Sequence, residues 1–311
     1  MPGQDLKIDS RDWMLLVLLS VLWGGSFFFV GAAIREVPPL TIVFLRVGVA
    51  ALVLLPLVLM RGIAFPSGFA GWKVFLVMSA INNVIPFSLQ AGAQVYITSG
   101  LASVLNATTP LFTVLVMSAF SEERLVPRRI AGVLLGLLGV VILRGQGLDL
   151  TSNQTIGMLM CLGATLSYGF SALWAKRHMT GIPPLGAAAF QMMTSCLLMA
   201  VLSFTFERPW ELPVPSASAT LAIVGTGVLS TAVGFIIFFQ IIARSGPSNV
   251  MLVTLLVPVS AILLGHFLLG EVIVTREYIG AIIIAAALIV MDGRVFGLFR
   301  RKPVAAAGVE S

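Results

Sequence analysis

The chain has 311 residues, of which 58% are hydrophobic and 10% are charged, and its mean hydropathy is +1.04. Roughly a quarter of the residues in a soluble domain are charged, so this composition excludes a water-soluble globular protein. The net charge of +6 does not indicate nucleic-acid binding, because the basic residues stand singly or in pairs between apolar runs. The two cysteines, Cys161 and Cys196, lie within apolar runs and form neither a disulfide framework nor a metal motif.

Charge-free runs that are long enough to cross a bilayer as helices of about 20 residues follow one another along the chain. Residues 13–34 form the first run, and residues 37–60 form the second with a single charge, Arg46. Residues 74–121 are long enough for two spans that reverse at Thr98-Ser99-Gly100, and a fifth span lies between Arg129 and Arg144. The second half predicts five more spans, over 150–175, 178–206, 212–243, 245–270 and 278–291. The chain is therefore predicted to be an all-α membrane protein with ten transmembrane helices.

A cleaved signal peptide is the alternative interpretation of the first run. Its apolar stretch is longer than the usual core of a signal peptide, and the segment Trp23-Gly24-Gly25-Ser26 falls inside it with no small-residue cleavage pattern beyond. A transmembrane helix is the favoured interpretation.

The two halves of the chain repeat each other in order. Val37-Pro38-Pro39-Leu40 recurs as Ile182-Pro183-Pro184-Leu185 after 145 residues, and Pro110 recurs as Pro258 after 148 residues. Because five spans per copy is an odd number, the second copy enters the membrane from the opposite side. We therefore predict two inverted five-helix repeats, residues 13–144 and 156–293, followed by a cytoplasmic tail, residues 294–311. Inverted repeats are typical of secondary transporters, and duplication for stability alone is the alternative.

The distribution of basic residues predicts the orientation. Fourteen of the 19 lysines and arginines fall on the face that carries both termini, and four fall on the opposite face. Cytoplasmic loops carry an excess of lysine and arginine. Both termini are therefore predicted to be cytoplasmic, in a multi-pass protein of the bacterial inner membrane.

The acidic residues argue against proton-driven transport and against catalysis. All 13 lie at span ends, in loops or in tails, whereas proton relays are built from acids inside the membrane. No metalloprotease, phosphate-binding or nucleophile-elbow motif occurs. We predict no catalytic residue, no metal site and no cofactor, and an intramembrane enzyme is the least favoured class.

Neutral polar side chains supply the candidate binding site. They lie in the third, fourth and eighth spans: Ser79, Asn82, Asn83, Gln90, Asn106 and Gln240. Two aromatic residues at matching repeat positions, Trp23 and Tyr168, could line the same cavity. Such groups can bind a polar solute without the desolvation cost of an ion. Hydrogen bonding between helices is the alternative role for each of them.

Arg46 and three prolines are the remaining candidates. Arg46 either extends outward to the membrane surface or faces the cavity and pairs with a substrate carboxylate. Pro86, Pro110 and Pro258 lie inside predicted helices, where proline removes a backbone donor and frees a carbonyl. They are predicted to be gating or kink positions, and packing kinks without a role in transport are the alternative.

The chain resembles the drug/metabolite transporter superfamily, whose members carry tandem EamA domains. The resemblance rests on Trp23-Gly24-Gly25-Ser26-Phe27, on Pro39 with Arg46, and on Pro110 and its recurrence as Pro258. It covers residues 13–293, although Tyr168-Gly169 and Gln191 depart from the pattern in the second copy. Within the superfamily the chain is similar to bacterial exporters of aromatic and other amino acids. The resemblance implies a central cavity with peripheral fifth and tenth helices.

From these observations the predicted function is export of amino acids and related metabolites by alternating access, with no nucleic-acid partner and as a monomer or weak dimer in the lipid bilayer. Efflux of amphipathic drugs or organic cations is the alternative, and a membrane receptor or scaffold without transport is a third possibility. A site for cations usually contains a buried acid or an aromatic cage, and the predicted spans contain no such acid.

Overall fold

The protein is described by a computed structural model over residues 9–123, 126–144, 152–245, 247–250 and 252–292. Seven helices in this part are long and apolar enough to cross a membrane. These are α1 (Ser10–Ala33), α2 (Pro39–Met60), α3 (Gly68–Ala93), α4 (Ser99–Ala119), α6 (Asn153–His178), α7 (Pro184–Phe206) and α8 (Ala217–Ser245), with a shorter apolar helix α9 (Val253–Leu269). Two further helices of 18 residues are α5 (Pro127–Arg144) and α10 (Thr275–Asp292).

Short helical turns at Pro209–Glu211 and Pro247–Val250 complete the described secondary structure, which includes no strand. The fold class predicted from composition, an all-helical membrane protein, is confirmed. The predicted tail 294–311, the last residue of the second repeat and the first eight residues of the chain lie outside the described residues.

The reversal predicted at Thr98-Ser99-Gly100 is confirmed. Helix α3 ends at Ala93, and Thr98 is the N-cap of α4, where its side chain accepts a hydrogen bond from the backbone nitrogen of Leu101 at 3.2 Å. A threonine hydroxyl at this position satisfies one of the unpaired amides at a helix start. The long charge-free run, residues 74–121, therefore divides into two helices, the second of which begins after Thr98.

Large apolar side chains cover the outside of the bundle. Leu52 is 73% exposed, Met60 is 82% exposed and Phe267 is 74% exposed. A soluble protein rarely exposes apolar patches of this extent, whereas lipid tails solvate them at no cost. The chain is therefore a multi-pass membrane protein.

Two pairs of helices run antiparallel in close contact. In the pair α2 and α7, Thr41 contacts Glu207, and a Cβ atom at Gly48 would lie 3.5 Å from the sulfur of Cys196. In the pair α5 and α10, a Cβ atom at Gly132 would lie 2.9 Å from the carbonyl oxygen of Ala287. Further along, a Cβ atom at Gly139 would lie 3.1 Å from the carbonyl oxygen of Gly280. Glycines thus allow these backbones to approach closely, as small residues do in membrane helix pairs.

Two helices contain π-helical segments at matching positions in the two halves. The segments are Ala80–Val84 in α3 and Thr226–Val233 in α8, and their first residues are 146 positions apart. A π-segment widens the helix by one residue per turn and is frequent at functional sites. Sequence patterns of hydrophobicity did not predict either segment.

Candidate functional site

A cluster of polar and aromatic side chains lies around Arg46, where α2, α3, α4, α6 and α8 come together. We call it the arginine group. Its members are Arg46, Phe87, Gln90, Asn106, Tyr168 and Thr231. Sequence reasoning proposed four of the six as site residues: Arg46, Gln90, Asn106 and Tyr168.

Arg46 is buried between helices, with 9% of its surface exposed. Its Nε donates a hydrogen bond to Oγ1 of Thr231 at 2.9 Å. The Thr231 hydroxyl in turn donates to the carbonyl oxygen of Thr226 at 2.9 Å, a bond that spans five residues and belongs to the π-segment. The widened helix therefore orients the hydroxyl so that its oxygen accepts from Arg46.

Phe87 forms the second wall around the guanidinium. Its ring centroid lies 3.8 Å from Cζ of Arg46, within the range of a cation–π interaction. Phe87 is one residue beyond Pro86, which lies two residues after the end of the π-segment of α3 at Val84. The sequence carried no periodic signal for this contact, because Phe87 stands among other apolar residues.

Tyr168, Gln90 and Asn106 complete the arginine group. Tyr168 lies within electrostatic range of Arg46 and close to the Gln90 side chain. The Gln90 side chain donates through Nε2 to Oδ1 of Asn106 at 2.6 Å. Gln90 is buried, whereas Tyr168 and Asn106 are half-buried, and all three side chains are neutral.

A second cluster joins α3 to α6 and α7, and we call it the amide group. It contains three predicted site residues, Ser79, Asn82 and Asn83. Ser79 donates to the carbonyl oxygen of Gln191 at 2.8 Å, and Asn83 donates through Nδ2 to the hydroxyl of Ser195 at 2.9 Å. Both Ser79 and Asn83 are fully buried. These bonds hold the helices together, as expected for polar side chains between membrane helices.

Asn82 links the amide group to the arginine group. Its Nδ2 donates to Oε1 of Gln191 at 3.2 Å, and its Oδ1 accepts from Ser171 at 2.9 Å. The Ser171 hydroxyl also lies 2.8 Å from the carbonyl oxygen of Tyr168. The two clusters therefore adjoin at one turn of α6.

Two predicted site residues lie away from both clusters. Trp23 packs against Phe238 with ring centroids 5.3 Å apart, and its indole nitrogen would lie 2.8 Å from a Cβ atom at Gly234. The Trp23 side chain therefore packs between α1 and α8. Gln240 is exposed on α8 and joins neither cluster.

The three prolines occupy different kinds of position. Pro86 follows a π-segment, and Pro258 lies within α9. Pro110 follows an interruption of α4 at residues 107–108. Because Pro110 has no N–H, the carbonyl oxygen of Asn106 lacks its usual helical donor. The hydroxyl of Thr109 donates to that oxygen instead at 2.7 Å.

Three glutamates lie at the membrane face where α1 ends. We call this the distal face. Each accepts hydrogen bonds at the start of a helix, where backbone amides are unpaired. Glu207 binds the amide of Thr41 at 2.6 Å, and Glu271 binds that of Ser99 at 2.8 Å. Glu36 binds both the amide and the hydroxyl of Ser216 at 2.7 Å, and these bonds lower the pKa of Glu36.

At the opposite membrane face, where α1 begins, ion pairs join the helix ends instead. Arg244 at the end of α8 pairs through Nε with Asp12 at 2.8 Å. Arg177 pairs through Nε with Glu122 at 2.7 Å, and Lys176 lies 3.0 Å from the same carboxylate. Both cations lower the pKa of Glu122. Each of these acids therefore already has a partner at a membrane face.

Two cavities lie outside the arginine group. One of about 290 Å³ opens at the distal face and is lined by residues that include Arg35, Gln94 and Glu271. The other, of about 300 Å³, is apolar and lies between α2, α7 and α8, with Leu54 and Phe239 in its wall. Neither of these two cavities is lined by Arg46.

Known proteins resemble this chain along its full length. The model of the EamA-like transporter family matches residues 12–145 and again residues 155–291. The uncharacterized transporter YoaV of Bacillus subtilis is 26% identical, over 92% of this chain and 97% of its own. The uncharacterized inner membrane transporter YedA of Escherichia coli is 25% identical, over 95% and 94%.

A relative with a described activity and a solved structure also resemble this chain. A probable amino-acid metabolite efflux pump of Escherichia coli is 24% identical, over 96% of this chain and 99% of its own. A crystal structure with 21% sequence identity superposes with a TM-score of 0.65 over 93% of this chain and 99% of the other. With a family match in each half, this chain belongs to the EamA-like transporter family.

Proposed function

We propose that this protein is a secondary transporter that exports amino acids, aromatic and other neutral ones, and related metabolites across the bacterial inner membrane. The observation that carries this proposal is that both family-matched regions contribute to the arginine group. Arg46 and Gln90 belong to the first region, and Tyr168 and Thr231 belong to the second. A polar group shared by two halves can open to one side or the other when the halves move against each other.

Inverted halves would provide the two equivalent conformations that alternating access uses, and three observations support that arrangement. The π-segments of α3 and α8 lie at matching repeat positions. Helices α2 and α7, the second helices of their repeats, run antiparallel, and so do α5 and α10, the fifth helices. A two-fold axis in the membrane plane relates equivalent helices in this way. The proposed repeats are residues 13–144 and 156–293, with ten transmembrane helices and cytoplasmic termini.

The contacts at the two membrane faces give the proposed motion a physical basis. On the distal face, Glu36 and Glu271 each bind a helix start in the other repeat. On the opposite face, Arg244 binds Asp12 in the first helix and Arg177 binds Glu122 in the first repeat. Opening to one side breaks one set of contacts and leaves the other set intact.

The substrate class is supported by the chemistry of the arginine group and by one relative. Neutral amides and hydroxyls surround one cation, which suits a solute that carries both a carboxylate and neutral polar atoms. The relative described as a probable amino-acid metabolite efflux pump aligns over nearly its whole length. Efflux of amphipathic cations is less favoured, because each carboxylate of the described residues lies at a helix end or in a loop.

Transport into proteoliposomes tests the proposal. Purified protein is reconstituted, and uptake of labelled threonine, methionine and phenylalanine is compared with uptake by protein-free liposomes. We expect protein-dependent flux of at least one of them, together with counterflow when the lumen holds unlabelled amino acid. Absence of flux for every amino acid, with flux of an organic cation, would reverse the assignment.

A further inference from the structure

The position of Arg46 in the membrane is the first step toward a more specific substrate class. Arg46 is the eighth residue of α2, and its partner Thr231 is the fifteenth of the 29 residues of α8. The side chain is therefore held toward the middle of the bilayer and does not extend to the membrane surface. An ionisable residue held at this depth is costly and is usually functional.

The charge of Arg46 is not balanced within the described part of the chain. Nε binds Thr231 and the guanidinium faces Phe87, but both partners are neutral. None of the described ion pairs includes Arg46, and its terminal nitrogens form no hydrogen bond with a described residue. A buried cation without an acid leaves its strongest donors available to an anion from outside the protein.

Among the described residues, no acid lies beside Arg46 that could pair with the ammonium group of a substrate. Three described acids at the ends of helices are already bound there: Glu207 to the start of α2, Glu271 to the start of α4, and Asp12 to Arg244. Around Arg46 the available acceptors are neutral side-chain oxygens, such as those of Asn106 and Tyr168. A neutral oxygen accepts a hydrogen bond from a hydroxyl as well as from an ammonium group, so these groups do not require a positive charge on the substrate.

We propose that Arg46 selects substrates by their carboxylate and that the α-amino group is dispensable. The substrate class is then small carboxylates with an apolar or neutral polar side chain, and it includes 2-hydroxy acids as well as amino acids. The carboxylate binds the terminal nitrogens of Arg46, while the substrate's amine or hydroxyl meets neutral oxygens. This inference rests on the proposed transport function and specifies which part of the substrate is recognised.

Three compounds with the same aromatic ring separate the two charged groups. Phenylalanine carries both, 3-phenyllactate keeps the carboxylate and replaces the amine with a hydroxyl, and phenethylamine keeps the amine alone. Each is tested as a competitor of labelled phenylalanine flux in proteoliposomes. We expect phenylalanine and 3-phenyllactate to compete within a few-fold of each other and phenethylamine not to compete. Competition by phenethylamine that equals that of 3-phenyllactate would overturn the proposal.

Substitution of Arg46 provides the second arm. Loss of a charge-assisted hydrogen bond costs about 1.5–3 kcal/mol, which corresponds to a loss of affinity of about 10- to 150-fold. We expect Arg46→Gln to lose this much affinity for both carboxylates and to lose discrimination against phenethylamine, whereas Arg46→Lys retains part of it. The matched control is Arg61→Gln, because Arg61 is an exposed arginine at the end of the same helix. This variant should retain the wild-type affinities for all three compounds.

A binding readout separates this inference from the proposed function. Thermal stabilisation of the detergent-solubilised wild-type protein by each compound is measured alongside flux. Stabilisation by the two carboxylates without any amino-acid flux would contradict the transport function and leave carboxylate recognition standing. Phenylalanine flux that is inhibited by phenethylamine but not by 3-phenyllactate would support the transport function and contradict carboxylate recognition. The wild-type comparison is complete even if Arg46→Gln does not fold.

Discussion

Glu271 and Ser99 are joined by two hydrogen bonds of 2.8 Å, one from the backbone amide of Ser99 and one from its hydroxyl. The same carboxylate accepts from the amide of Gly100 at 3.1 Å. It therefore satisfies two of the unpaired amides at the start of α4 and ties the end of α9 to the other repeat.

We expect Glu271→Gln to destabilise the protein, because an amide group has one acceptor oxygen where three donors converge. The expected loss is about 1–3 kcal/mol, measured as a lower melting temperature in detergent. The same substitution at Glu211, which forms an exposed 3.5 Å ion pair with Arg208, is the control. An equal effect at both positions would show that Glu271 is not a helix cap.

The contact of Glu36 with Ser216 predicts that the thermal stability of the protein falls at acidic pH. Hydrogen bonds from Ser216 lower the pKa of Glu36 from its ordinary value of 4.5. A carboxylate with a lowered pKa stabilises the folded state fully above the ordinary value, and this stabilisation is lost as the pH falls through the folded-state pKa. Melting temperatures between pH 6 and pH 3 should fall more steeply in the wild type than in Glu36→Gln. Parallel curves would contradict the prediction.

The glycine contacts between α5 and α10 predict a steric effect. A Cβ atom at Gly132 would lie 2.9 Å from both the carbonyl oxygen of Ala287 and Cβ of Met291, so alanine forces the helices apart. Overpacking of this kind costs about 1–3 kcal/mol. Gly132→Ala should lower the melting temperature, while Gly163→Ala, where a Cβ atom meets only Leu89 at 3.4 Å, should not.

The antiparallel packing of α2 on α7 predicts a specific cross-link. A Cβ atom at Gly48 would lie 3.5 Å from the sulfur of Cys196, which is close to the separations that disulfides require. Gly48→Cys should form a disulfide with Cys196 under oxidising conditions, detected by mass spectrometry of the linked peptides. Adding Cys196→Ser removes the product. A variant that stays fully reactive to maleimide after oxidation would contradict this packing.

The helical class, the membrane location and the reversal at Thr98 could be predicted from the sequence, because they follow from the lengths of apolar runs and from cap chemistry. The predicted polar residues divided into two clusters, which hydrophobicity patterns could not anticipate. Ser79 and Asn83 share a helix with Gln90, but the π-segment after Ser79 rotates the following residues toward different neighbours. A regular period of 3.6 residues therefore places them wrongly relative to one another.

The contacts of Arg46 could not be predicted from the sequence either. Its partner Thr231 is 185 residues away, and Phe87 is one of 20 phenylalanines in the chain. Local patterns report which side chains are unusual in a membrane, and Arg46 was identified on that basis. They do not report which distant side chains meet it, because that depends on how the two repeats pack.

Thr231 gives a test of the arginine group that leaves the charge in place. Its hydroxyl accepts from Arg46 and donates to the carbonyl oxygen of Thr226, so it fixes the direction of the guanidinium. Thr231→Val keeps the side-chain shape and removes both bonds, whereas Thr231→Ser keeps the hydroxyl. We expect valine to weaken the affinity for transported phenylalanine about tenfold, the equivalent of about 1.4 kcal/mol, and serine to restore most of it. Because Arg46 retains its charge, the change should appear in KM more than in protein yield. Wild-type KM in Thr231→Val would show that the orientation of Arg46 does not depend on α8, and the arginine group would then not link the two repeats.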